Sequence, residues 1–156
     1  MNDHERLVLI TESVHYCQKV KALGMPANCF SKALREPIFF LWEMRNAAKK
    51  EDAARYRSVA SVGLRYGKRE IVYDHAIPFK YLQNELLSLE EATTNNVKEV
   101  LDRYCVTAII TAQENAALSQ AGLQHKMPED WNGIDPLARY RVVGIQLTED
   151  PWLKIK

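Results

Sequence analysis

The sequence predicts an α+β fold that is mostly α-helical, a helical N-terminal half packed on a small two-stranded unit. Apolar residues recur at three- and four-residue intervals over most of the chain. Two short stretches, residues 69–74 and 105–110, carry β-branched and aromatic residues instead. Size supplies the third observation. With 156 residues, 47% hydrophobic and 26% charged, the chain makes one domain and can bury roughly 70% of its unfolded surface without staples. Its parts are a helical segment 1–66, a mixed segment 67–125 and an irregular tail 126–156.

The first helix is read over 3–23, where Leu7, Ile10, Val14 and Cys17 share a face, Asp3 caps the start and Gly24 and Pro26 stop it. A second helical region begins near Asn28 or Ser31. Pro37 would break its interior, so a fresh helix is expected from Pro37 to about Lys49. The start of that helix, Ile38-Phe39-Phe40-Leu41-Trp42, is apolar on nearly every side. It belongs to the core or covers a protein partner. A third short helix is predicted over 52–61, followed by a turn at Gly63 and Gly67.

Residues 69–74 then read as a strand, and Pro78 can open a helix over 79–87. Thr94 or Asn95 caps the next helix, whose stripe is Val97, Val100, Leu101 and Tyr104. The run Cys105 to Ile110 is the best strand, and Thr111 with Glu114 forms a capping box for a helix ending at Gly122. In the tail, Pro128, Trp131-Asn132-Gly133, Asp135-Pro136 and Pro151 mark turns, with a helical stretch over 137–143. There the arginines flanking Tyr140 are read as solvated, on a helix packed through Leu137, Tyr140 and Val143.

Composition excludes several classes. Six Gly and six Pro rule out collagen-like and disordered chains. The longest apolar run is five residues, far short of the roughly 20 a membrane helix needs, and Met1 to Arg6 is not the start of a secretory signal. Cys17, Cys29 and Cys105 lack C-x-x-C spacing and read as reduced core thiols. A cytoplasmic protein with no membrane partner is expected.

The formal charge of +1 conceals a polarity. Arg45, Lys49, Lys50, Arg55, Arg57, Arg65, Lys68 and Arg69, against Glu51 and Asp52, put +6 on 45–69 and leave −5 for the rest. Such a stretch is either a solvated helix face or a phosphate-binding track for nucleic acid.

The basic stretch leads into Asp74-His75-Ala76-Ile77-Pro78 at the end of the first strand. Here the chain resembles the HNH, or His-Me finger, nucleases over 71–125. The resemblance implies a ββα unit holding one divalent metal, Mg²⁺ or Mn²⁺. His75 is then general base, Asp74 and Asn115 are metal ligands, and His125 is a further ligand or phosphate contact. A neutral imidazole can take a proton from water near pH 7, and a hard cation takes carboxylate and amide oxygens. The chain departs from the family in lacking Gly-Gly after the proline and the zinc-binding cysteine pairs, and in inserting some 25 residues before the second strand. Neighbours on a strand point to opposite faces, so Asp74 and His75 converge only if the strand bends.

Two functions are therefore expected from different classes. One is a metal-dependent nuclease hydrolysing nucleic-acid phosphodiesters. The alternative is a non-catalytic helical binding module, a small regulator or inhibitor docking on a protein or nucleic acid.

Overall fold

The structure is a computed structural model and describes residues 1–149 except Tyr66. Pro151 and Trp152 lie outside the described residues. The long helix α1, Asp3–Ala22, buries Leu7, Ile10, Val14 and Cys17 as the pattern predicts. Its cap is Asn2 rather than Asp3, because the Asn2 side chain accepts from the Glu5 amide while Glu5 returns a bond to the Asn2 amide.

Helix α2, Ser31–Ile38, contains Pro37 instead of ending before it. It runs on into one π-helical turn, Phe39–Glu43, in which the Met44 amide reaches the Phe39 carbonyl at 3.0 Å. The expected fresh helix from Pro37 to Lys49 is thus a continuation that stops early. Proline cannot donate to the ladder, and a widened turn next to it is one way a chain absorbs the mismatch. Ile38 at the end of α2 and Trp42 in the turn are buried, Leu41 packs against the core they join, Phe39 is half-buried and Phe40 is exposed.

The predicted helix over 52–61 is replaced by a short 3-10 turn, Lys50–Ala53, and a strand, β1, Tyr56–Ser58. Local pattern lost here to pairing. β1 lies parallel to β3, Thr107–Thr111, with Tyr56 opposite Ala108 and Arg57 opposite Ile109. β2, Ile71–His75, pairs antiparallel with β3 on its other side, and β4, Leu147–Glu149, pairs antiparallel with β1. The sheet thus has four strands in the order β2-β3-β1-β4 rather than two. β4 had no sequence signal of its own.

Three further helices lie where expected: α3, Phe79–Leu87; α4, Thr94–Tyr104, capped by Thr93 rather than Thr94 or Asn95 because the Thr93 hydroxyl accepts from the Asn96 amide; and α5, Ala112–Gln120, with the Thr111–Glu114 capping box. The short α6, Ala138–Val143, ends at Gly144 in the left-handed region. Leu7, Ile10, Leu34, Trp42, Leu82, Leu86, Val97 and Leu101 form the helical core. Ala108 and Ile110 face a second cluster with Leu118, Leu123 and Tyr140 on the opposite side of the sheet. Ile109 and Ile71 turn the other way. Cys17 is buried and Cys105 half-buried, but Cys29 is exposed and so is not a core thiol. Among the described residues no helix is long and apolar enough to cross a membrane.

Candidate functional site

Alternation along β2 decides what the Asp74-His75 pair can do. Asp74 stands opposite Ala108 and His75 opposite Thr107, so the two side chains leave the sheet on different faces. The strand does not bend to bring them together. Asp74 meets α6, where its Oδ2 accepts from Arg139 at 2.6 Å and from the Tyr140 hydroxyl at 2.7 Å. Burial, and next the charge of Asp74, push the Tyr140 phenol far above its ordinary value, so it remains a donor.

Arg139 is 1% exposed, which corrects its reading as a solvated residue. Its guanidinium also donates to the carbonyls of Ala76 at 2.9 Å, Leu123 at 2.6 Å and His75 at 2.5 Å. The planar fork with five donors satisfies these acceptors at once. Arg141 is the exposed arginine and pairs with Asp135.

On the other face, His75 Nε2 lies 2.7 Å from Glu43 Oε1. The other oxygen of Glu43 accepts from the Tyr73 hydroxyl at 2.7 Å, and the Cys105 thiol approaches Oε1 at 3.5 Å. The Glu43 side chain is 3% exposed. Burial alone would raise its carboxyl, but bonds and charge from His75, with help from Tyr73 and Cys105, hold it below the ordinary carboxylate range. Burial, followed by the charge of Glu43, raises both the Tyr73 phenol and the Cys105 thiol. The imidazole ring is held edge-on between Tyr73 and Phe79, with centroids 5.9 and 5.7 Å away.

These groups border a cleft of about 900 Å³ along the outer edge of β2, between α2, the start of α3 and the start of α5. Asp74, His75, Asn115 and His125 all line it. Asn115 is half-buried and His125 exposed. So do Lys32, Arg35 and Lys80, which the sequence did not single out, and they stand exposed at its rim.

Of the eight basic residues on 45–69, only Lys50 borders this cleft. Arg57 is spent on the carbonyls of Ser61 and Leu64, at 3.4 and 2.8 Å. Arg45 lies over the Trp42 ring, 4.0 Å from its centroid, and donates to the Trp42 carbonyl at 2.5 Å. Arg55 packs near Tyr56. Lys49, Arg65, Lys68 and Arg69 are exposed away from the cleft lining.

The donor set can be weighed against the metal implied by the resemblance. A divalent ion on Asp74 would share its carboxylate with the buried Arg139 guanidinium, an unfavourable approach of like charges. Among the described residues, no group of three His, Cys, Asp or Glu side chains gathers to hold a metal. As assigned, Asp74, Asn115 and His125 do not fit the ion. The remaining histidines stand apart: His15 bonds the Ala92 carbonyl at 2.8 Å and His4 is exposed on α1.

Sequence reading missed Glu43 and misjudged Arg139. The available signal for Glu43 was a lone carboxylate closing the run Phe39-Phe40-Leu41-Trp42, since a charge in apolar surroundings requires a partner. No family model, curated protein or solved structure matches this chain.

Proposed function

We propose that this domain is a binding module that takes a nucleic-acid strand in the cleft along β2. The observation carrying this is the charge left over in the lining. Of its acidic groups, Asp74 is compensated by Arg139 and Glu43 is buried against His75 and Tyr73, leaving Glu36 as the exposed one. Against it stand Lys32, Arg35 and Lys80 at the rim, with Lys50 near the rings of Phe39 and Tyr73. Cations at the rim of a groove with aromatic walls suit phosphates on the outside and bases within. Three free thiols, Cys17, Cys29 and Cys105, suit a reducing, cytoplasmic location.

Fluorescence anisotropy with labelled DNA and RNA oligonucleotides tests this. If Lys32, Arg35 and Lys80 each neutralise one phosphate of a single strand, log K falls with log salt at a slope of about −2. The variant Lys32→Glu/Arg35→Glu/Lys80→Glu should lose binding. Retained binding in that variant, or binding insensitive to salt, would refute the proposal.

A second reading, hydrolysis of the bound phosphodiester with His75 as base, is favoured by one observation. His75, Asn115 and His125, from β2, α5 and the loop after it, border one cleft. Oligonucleotide cleavage that is lost in His75→Ala would support it. Cleavage that survives His75→Ala would discard it.

A further inference from the structure

We propose that Glu43 is a positioning residue that fixes His75 with its proton on Nε2 and leaves Nδ1 as the proton acceptor of the cleft. This rests on the hydrolytic reading of the site. The geometry is direct: an ionised carboxylate only accepts hydrogen bonds, so at 2.7 Å from Glu43 Oε1 the Nε2 atom must carry the hydrogen. In the neutral ring Nδ1 then holds the lone pair. Among the described residues it has no hydrogen-bond partner, although His75 borders the cleft.

The surroundings suit a fixed orienting group rather than a chance contact. Glu43 is presented by the last residue of the π-helical turn beside Pro37. Its second oxygen is anchored by the Tyr73 hydroxyl, and Tyr73 and Phe79 stand edge-on to the imidazole. The ring is therefore restrained both by its hydrogen bond and by its walls.

Nδ1 takes a proton from water, the water oxygen bonds to phosphorus, and the bond from phosphorus to the leaving sugar oxygen breaks. The leaving oxygen takes a proton from solvent, and the imidazolium returns its own to solvent. A buried carboxylate on Nε2 holds the ring in register and stabilises the imidazolium while it exists.

The tautomer is read directly from the ¹⁵N shifts of His75 in the labelled full chain above the pH of imidazole protonation. Wild type should show hydrogen on Nε2, and Glu43→Gln should lose that preference. On oligonucleotide cleavage, Glu43→Gln should lower kcat by about 10- to 100-fold with KM little changed. Hydrogen on Nδ1 in the wild-type protein overturns the proposal without any variant. Cleavage undiminished in Glu43→Gln overturns the role of Glu43 alone. A wild-type protein that cleaves nothing overturns the hydrolytic reading and, with it, this one.

Discussion

Arg139 and Glu43 each place a charge where water scarcely reaches, and both do so by surrounding it with partners. Arg139 satisfies Asp74 together with the carbonyls of Ala76, Leu123 and His75. It thereby ties the end of β2 and the loop after α5 to α6. Removing one partner from a buried pair leaves the other uncompensated, so Arg139→Ala should cost about 3–5 kcal/mol of unfolding free energy. Urea denaturation measures this, and a cost below about 1 kcal/mol would contradict the account. Lysine should rescue poorly, because a point charge cannot reproduce the planar fork. Glu43 makes a different prediction. Its folded carboxyl lies below the ordinary range, whereas an unfolded glutamate titrates near about 4.3. Its contribution is therefore fully present above that pH and is lost as pH falls through the lower, folded value. The stability gap between wild type and Glu43→Gln should narrow as pH falls below about 4.3 in parallel denaturation curves. A constant gap would count against the bonds to His75 and Tyr73.

At the scale of elements, α5 was legible because its signals are local. Thr111 and Glu114 exchange side-chain bonds with each other's amides at 3.1 and 2.8 Å, and that pattern can be read from four consecutive residues. Thr111→Ala should cost about 1 kcal/mol, visible as a lowered thermal midpoint, because an amide at the helix start loses its acceptor. The helix α1 was legible for the same reason, its buried face being set by a regular spacing. Two elements were not. Residues 52–61 have helix-compatible spacing, yet β1 forms because the Arg55 amide bonds the Thr107 carbonyl at 3.0 Å and the neighbouring residues pair with β3. The π-helical turn after Pro37 was hidden too, since a proline normally argues for a boundary. That turn delivers Glu43, so the candidate site was least readable at the one element that completes it.

Across the whole molecule, charge is distributed differently from what its order along the chain suggests. The +6 carried by 45–69 is divided among an arginine on Trp42, an arginine bonded to carbonyls, a lysine at the cleft and exposed groups elsewhere. Screening reduces interactions between exposed charges beyond a Debye length of about 8 Å at 0.15 M salt. Lys68→Glu/Arg69→Glu should therefore weaken oligonucleotide binding less than about tenfold at that salt. The reversal of Lys32, Arg35 and Lys80 should weaken it far more. Anisotropy titrations of the two variants side by side decide the point, and equal losses would move the interface onto the basic stretch.

By itself the sequence determined the class of fold, the helices α1, α3, α4 and α5, and the approximate places of β2 and β3. Each follows from spacing, capping or β-branched content within a dozen residues. Only the tertiary structure decided the partners of the chemical groups. Asp74 and His75 are adjacent in the chain and opposite in the sheet, and their fates depend on Arg139 and Glu43, 65 and 32 residues away. Buried charges are settled by whichever complementary group packing brings within about 3 Å, and no local pattern records that distance.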